Sequence, residues 1–149
     1  MRAGPGNLGG VVRVRSVRER DSRIGLATVL AEEREAAAKV TDLEQLLANL
    51  PEPATYDAAA FQGRQHTLEV IRTALASARA ELTVAHQLTV VARDRWVTDR
   101  SRLAAVESLV ERRAAAVRAE RQRREVRELD EVAELMWRRR AAAPVGGDR

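Results

Sequence analysis

The side chains that most often perform catalysis or bind metal ions are few and scattered in this sequence. Cysteine is absent, so neither thiolate chemistry nor a disulfide framework is available. The two histidines, His66 and His86, lie twenty residues apart, and neither has a second ligand four residues further on. This spacing indicates solvated helix positions rather than a metal site. No serine, histidine and aspartate are grouped in the strand and turn context that a catalytic triad requires.

Acidic pairs and a glycine-rich stretch are the remaining candidates for chemistry. Glu32-Glu33 and Asp130-Glu131 are more typical of helix surfaces or interface contacts than of an acid–base dyad. The glycines of residues 1–10 have no Gly-Lys-Ser/Thr after them and no strand before them, so they do not form a phosphate loop. We therefore expect a protein that is not an enzyme, with no catalytic residues, no cofactor and no metal ion.

Arginine crowds the last quarter of the chain. Residues 111–149 carry eleven basic and eight acidic groups, whereas residues 11–50 and 51–110 each carry seven of both. Clustered arginines are typical of helices that bind a DNA groove. Here glutamates alternate with them, as in Glu120 and Arg124, which favours i,i+4 pairs over phosphate binding. We expect no nucleic-acid partner and, without an apolar run of roughly 18 residues, no direct membrane insertion.

Long helices must position these side chains, and a heptad repeat predicts such helices. Only 3% of the residues are aromatic and 32% are charged, so a large globular core is not expected. Large residues recur every seven positions, and a second apolar position follows many of them by three. The first series is Phe61, Leu68, Leu75, Leu82, Thr89, Trp96, Leu103, Val110 and Val117; the second is Ile71, Ala78, Ala85, Ala92 and Val106. This 3–4 alternation is the seam of a coiled coil.

The predicted fold is all-α: two long helices form an antiparallel coiled-coil hairpin, and the second helix is much longer. Pro51 and Pro53 end the first helix, and Thr55 is the expected N-cap of the second. The predicted segments are a flexible arm (1–10), helix one (11–50), a turn (51–55), helix two (56–142) and a flexible tail (143–149). The seam of helix one is predicted to run through Leu26, Val29, Glu33, Ala36, Val40, Leu43, Leu47 and Leu50, with Val14, Val17, Ile24 and Ala31 as candidate contacts before it.

Counting across a short turn predicts the register of the two helices. Leu47 is expected level with Phe61, Val40 with Leu68, and Val12 with Trp96, so helix one would cover helix two from Phe61 to about Thr89. Pairing would then end at about residue 96 and leave a basic overhang over residues 97–142. The apolar residues of this overhang would be kept for a partner, since exposed contiguous apolar surface marks an interface. They are Leu103, Val106, Val110 and Val117.

Three stretches resemble the flagellar export protein FliJ family, in order and spacing, over about residues 8–140. RQRREVRELDEVAELMWRRR (121–140) resembles its C-terminal signature, in which basic residues flank an apolar-Asp-Glu core. RDRWVTDRSRLAAVESLVERR (93–113) is similar to its middle region, and VVRVRSVRERDSRIGLATVLAEERE (11–35) is similar to its opening segment. The matching positions are Arg124, Arg127, Leu129, Asp130, Glu131 and Ala133, with Trp96, Arg102 and Leu103 upstream.

The resemblance implies a non-enzymatic stalk and general chaperone of the bacterial flagellar type III export apparatus, cytoplasmic and peripheral on the inner membrane. The implied partners are the hexameric flagellar export ATPase, the cytoplasmic domain of the export gate, and export chaperones. The expected ATPase-ring contacts are Arg124, Arg127, Leu129, Asp130, Glu131, Leu103, Val110 and Val117; the expected export-gate contacts are Tyr56, Phe61, Leu68 and Ile71. Two alternatives stay open: the stalk of a virulence type III secretion system, and a structural coiled coil that self-associates through its overhang.

Overall fold

The computed structural model describes residues 8–143, which form two α-helices. Helix α1 spans Leu8–Ala48 and helix α2 spans Ala58–Ala142. The all-α prediction with a longer second helix is confirmed, and no strand occurs among residues 8–143. Helix α1 begins three residues before the predicted start, within the expected flexible arm. Residues 1–7 of that arm and residues 144–149 of the expected tail lie outside the described residues.

The connection between the helices, residues 49–57, ends at an aspartate cap. Asp57 Oδ1 accepts the Ala60 N–H at 2.7 Å, which satisfies one of the unpaired amides at the start of α2. The cap is therefore Asp57 rather than the predicted Thr55. Arg64 donates to the Pro51 carbonyl at 3.0 Å, so the connection lies beside the first two turns of α2.

The chain divides into two compact units, Met1–Ala104 and Ala105–Arg149. In the first unit the helices are antiparallel, because falling residue numbers on α1 meet rising numbers on α2. Side-chain bonds join Glu44 to Arg79 (2.8 Å), Lys39 to Glu81 (2.9 Å), Glu33 to His86 (2.8 Å) and Glu19 to Trp96 (3.0 Å).

The register differs from the predicted one by about one heptad. Val40 belongs to a core cluster with Leu75, not to a level shared with Leu68. The prediction assumed that pairing starts directly after a tight turn. Instead, residues 49–57 fold back beside the start of α2, which removes its first two turns from pairing with α1. Phe61 is consequently 58% exposed, and the prediction that α1 covers it is wrong.

Pairing also continues further along α2 than predicted. Trp96 bonds Glu19, which is one heptad later in α1 than the expected partner position. Asp99 is buried and lines the same surface groove as Arg18 of α1. An end of pairing at about residue 96 is therefore wrong, because the shifted register carries α1 over this part of α2. Leu103 is half-buried and belongs to the first unit rather than to an uncovered overhang.

The apolar core of the first unit is narrow. Its buried hydrophobic residues are Val40, Ile71, Leu75 and Ala78, with Leu43, Leu47 and Leu82 packed against the cluster around Val40. Every residue of the seam predicted from Leu26 to Leu50 is buried or half-buried, and so is every seam position predicted from Leu68 to Trp96. The heptad pattern thus identifies the packed faces in this part of the pair.

The first half of α1 packs through polar residues. The apolar residues predicted there are exposed: Val14, Val17, Ile24 and Ala31. The heptad phase of Leu26 and Val29 instead continues towards the N-terminus through Ser22 and Glu19, which are 8% and 6% exposed. A coiled-coil stripe keeps its phase along a continuous helix, whichever residue types occupy it.

Residues 105–142 of α2 form the described helix of the second unit. Val106 is half-buried, Val110 is 37% exposed and Val117 is 56% exposed. From Glu111 to Ala143 every residue except Glu120 is exposed. This segment, residues 111–143, is called the C-terminal segment below.

Candidate functional site

The C-terminal segment presents large apolar side chains to solvent at helical spacing. Leu129 is 68% exposed, Met136 is 58% exposed and Trp137 is 70% exposed. Val126 and Ala133 complete a stripe with Leu129 and Met136, because the spacing of three, four and three residues returns to one helix face. A helix with such a stripe in water has surface suited to a partner.

The predicted ring-contact residues within the C-terminal segment lie on two faces of its helix, whereas Leu103 and Val110 precede the segment and Leu103 is half-buried in the first unit. Arg124 and Glu131 continue the seven-residue series of Val110 and Val117. Leu129 belongs to the separate apolar stripe and lies about 140° around the helix from Arg124, at roughly 100° per residue. The helix can therefore present a charged face and an apolar face to two surfaces of a partner.

Glu120 organises the arginines of the charged face. Its carboxyl oxygens pair with Arg123 at 3.3 Å and with Arg124 and Arg127 at 3.4 Å each. Glu134 pairs with Arg138 one turn further on. The arginines and Glu134 are exposed and Glu120 is half-buried, so the pairs are in contact with water and each contributes only about 0.3–0.5 kcal/mol to the helix. The arginines are positioned by these pairs but are held weakly enough to exchange them for a partner's carboxylates.

The side chains of Asp130 and Glu131, unlike those of Glu120 and Glu134, form no hydrogen bond or ion pair within residues 8–143. The same holds for Glu111, Glu125 and Glu128, but only Asp130 and Glu131 are adjacent in sequence. Both are exposed on the helix surface. They leave two adjacent carboxyl groups available for an arginine of a partner, which binds carboxylates in a bidentate manner. Of the predicted ring contacts, these two are the acidic ones.

The predicted gate contacts separate into exposed and buried residues. Tyr56 is 81% exposed and Phe61 is 58% exposed, near the connection. Ile71 is 6% exposed and Leu68 is half-buried within the helix pair. Their side chains therefore stabilise the hairpin and do not form part of its exposed surface. Tyr56 donates its hydroxyl to Glu52 Oε2 at 2.8 Å, and this hydrogen bond to an acidic group raises the tyrosine pKa.

The two histidines do not share a site. His86 Nδ1 lies 2.8 Å from Glu33 Oε1, across the helix pair. This hydrogen bond is the largest of the causes that lower the pKa of Glu33. His66 is exposed. Residues 8–143 contain no group of three or more histidine, cysteine or acidic side chains that could hold a metal ion.

A polar layer crosses the helix pair, and sequence reasoning missed it. Trp96 Nε1 donates to Glu19 Oε1 at 3.0 Å, and Thr89 Oγ1 donates to the Val29 carbonyl at 3.5 Å. The hydroxyl of buried Ser22 donates to the carbonyls of Arg18 and Glu19 in its own helix, at 3.0 and 3.1 Å. Continuing the heptad phase from Leu26 without requiring apolar residues would have found Glu19 and Ser22.

Comparison with protein families identifies the chain. The family model described as "Flagellar FliJ protein" matches residues 5–142. The chain belongs to the FliJ family. Membership makes it a component of the flagellar protein export apparatus, of a structural and chaperone type rather than an enzyme. The helical hairpin of the first unit agrees with the antiparallel coiled coil that the heptad pattern predicted.

The other comparisons add no relative. Searches of curated proteins and of solved structures gave no significant match. Neither helix within residues 8–143 combines the length and apolar character needed to cross a lipid bilayer.

Proposed function

We propose that this FliJ-family protein is a stalk that binds the hexameric flagellar export ATPase through its C-terminal segment and couples the ring to the export gate. In this proposal it works in the cytoplasm, peripherally at the inner membrane, and also serves export chaperones. The single observation that carries the ATPase assignment is the pair of unpartnered carboxyl groups of Asp130 and Glu131 beside exposed Leu129.

The charge of the C-terminal segment supports binding to a ring of subunits. Arginines and glutamates alternate along it, and Arg124 and Arg127 share the carboxyl group of Glu120 at 3.4 Å. Such pairs can be exchanged for intermolecular ones at small cost, because exposed ion pairs are weak. Complementary charges then set the orientation of the helix and accelerate its encounter with the ring.

The first unit supports the coupling part of the proposal. Its connection is held by Arg64, which bonds the Pro51 carbonyl at 3.0 Å and pairs with Glu52 at 3.4 Å. Tyr56 and Phe61 are exposed close to these two contacts of Arg64. We assign the gate-facing surface to these two aromatic residues, and we leave out Leu68 and Ile71 because they stabilise the hairpin.

Titration into the purified export ATPase of the same bacterium tests the proposal. The wild-type protein should raise both the rate of ATP hydrolysis and the fraction of hexamers. The double variant Asp130→Ala/Glu131→Ala should lose most of this stimulation while remaining helical. The matched control is Glu69→Ala/Asp94→Ala, which removes the same two residue types from exposed, unpaired positions of the first unit.

The proposal fails if wild type and the Asp130/Glu131 variant are equally inert, or if both double variants lose stimulation alike. Genomic neighbours distinguish the alternative of a virulence secretion stalk, since they would encode needle components instead of flagellar ones. A structural coiled coil would form a dimer of constant stability that the ATPase neither dissociates nor binds.

A further inference from the structure

A second apolar seam runs along α2 within the first unit, and we call its residues Val84, Leu88 and Val91 the outer seam. Val84 and Val91 lie seven residues apart, with Leu88 between them at spacings of four and three. They are 54%, 66% and 50% exposed, respectively. The seam that packs against α1 uses other positions, such as Leu82 and Thr89. Three large aliphatic side chains at coiled-coil spacing in water indicate a face that packs against another helix.

Small residues lie beside the outer seam. A surface depression along the helix pair has an apolar part formed by Gly25, Val29, Leu88, Val91 and Ala92, and one aspartate, one serine and one arginine complete its lining. A Cβ atom placed at Gly25 would meet nothing within 4 Å. The depression therefore has room for a large side chain from another helix.

Opposite charges flank the outer seam at equal distances. Glu81 precedes Leu88 by seven residues and Arg95 follows it by seven, so the three lie nearly in line along the helix. The Arg95 side chain is exposed and forms no ion pair or hydrogen bond within the described part of the chain. Glu81 pairs with Lys39 at 2.9 Å, but both side chains are 54% exposed, and such pairs are weak. Both Glu81 and Arg95 are therefore available to a charged group of another molecule.

This arrangement is complementary to itself. A two-fold axis through Leu88 places a second copy of α2 antiparallel to the first, with Leu88 against Leu88. The same axis places Glu81 of each copy against Arg95 of the other, and each Val84 against the smaller Ala92. A parallel alignment would instead bring Glu81 to Glu81 and Arg95 to Arg95, and such like-charge contacts are unfavourable. The charges therefore select an antiparallel copy of the same helix as the partner.

We propose that the outer seam is the interface of a symmetric antiparallel dimer between the first units of two copies of this chain. Leu88 lies on the axis and packs against its counterpart beside Gly25 and Ala92, and two Glu81–Arg95 ion pairs close the ends. Three aliphatic residues a side make a small interface, so the association is reversible. The C-terminal segment takes no part in it, and the inference therefore goes beyond the proposed function without depending on it.

Sedimentation velocity over a dilution series of the full chain, without any ATPase, tests the dimer. Wild type should show a monomer–dimer equilibrium. Leu88→Glu should raise the dimer dissociation constant at least about tenfold, because it brings two carboxyl groups together on the axis. Val90→Glu is the matched control, since Val90 is 46% exposed but lies about 160° around the helix from Leu88, at roughly 100° per residue. It should associate like wild type.

A charge exchange tests the antiparallel register. Glu81→Arg and Arg95→Glu should each weaken self-association, because each variant dimer contains two like-charge contacts. An equimolar mixture of the two variants should regain association as a heterodimer, because both contacts then join opposite charges. A mixture that stays dissociated overturns the proposal.

Engineered cysteines locate the axis, since the chain has none of its own. Leu88→Cys should form disulfide-linked dimers on mild oxidation, because Leu88 faces its counterpart. Val84→Cys should not, because the two copies of residue 84 would lie roughly 12 Å apart along the helices, at about 1.5 Å per residue. The Cα atoms of a disulfide lie within about 7 Å of each other.

Equal cross-linking at both cysteine positions overturns the proposal. So does wild type that stays monomeric at every concentration, or a dimer that Leu88→Glu leaves unchanged. Because these measurements contain no ATPase, a negative result leaves the proposed function standing.

Discussion

Removing the indole N–H of Trp96 should destabilise the helix pair measurably. Trp96→Phe keeps an aromatic ring at this seam position but leaves Glu19 without the donor that now lies 3.0 Å from its Oε1. Glu19 is only 6% exposed, so water cannot fully replace the lost donor. An unsatisfied buried polar group costs about 1–3 kcal/mol, and we expect the free energy of unfolding to fall by that amount.

Urea denaturation followed by far-UV circular dichroism measures this free energy without depending on tryptophan fluorescence. Trp137→Phe is the matched control, since Trp137 is 70% exposed and its indole N–H makes no hydrogen bond within residues 8–143. It should change the unfolding free energy by less than about 0.5 kcal/mol.

A double-mutant cycle with Glu19→Leu isolates the hydrogen bond. A leucine at this seam position can gain about 1.5–3 kcal/mol from burial, so the single variant should be at least as stable as wild type. In the presence of Glu19→Leu, Trp96→Phe should lose most of its destabilising effect, because no carboxyl group remains to be satisfied. An equal cost of Trp96→Phe with and without Glu19 would refute the reasoning.

Three further substitutions test other parts of the structure. Gly25→Ala should raise the unfolding free energy by about 1 kcal/mol in thermal or urea denaturation, since the added Cβ meets nothing within 4 Å. Asp57→Ala should lower it by about 0.5–2 kcal/mol by removing the cap on the Ala60 amide, and a gain in stability would contradict the capping role. The hydrogen bond to His86 lowers the pKa of Glu33. Ionised Glu33 therefore contributes to the free energy of unfolding above the ordinary glutamate pKa, and this contribution is lost as the pH falls through the lowered pKa. Glu33→Gln should therefore reduce the loss of stability in an acid titration, and an unchanged pH profile would exclude a contribution from this pair.

The sequence was sufficient to predict the antiparallel pair and the faces that pack from Leu26 to Leu50 and from Leu68 to Trp96. It was not sufficient to predict the register, because every heptad offers an equivalent alignment and only the path of the connection chooses between them. That path depends on Arg64 reaching the Pro51 carbonyl, which no periodicity reports.

Side chains at packed positions were also harder to predict than the positions themselves. Glu19, Ser22 and Asp99 occupy seam positions that apolar scoring rejects, and Phe61 occupies one that it accepts although α1 does not cover it. The exposure of the C-terminal arginines followed from their sequence. The sharing of one carboxyl group among Arg123, Arg124 and Arg127 depends on side-chain rotamers, which the heptad pattern does not report.

The narrowness of the core has a calorimetric consequence. The buried hydrophobic residues within residues 8–143 are Val40, Ile71, Leu75 and Ala78, and only the smallest of them, Ala78, is as little as 1% exposed. The heat-capacity increase on unfolding scales with newly hydrated apolar area, so it should be small for a chain of this length. A small heat-capacity increase flattens the curve of the unfolding free energy against temperature. The protein should therefore lose its structure gradually on heating and resist unfolding in the cold.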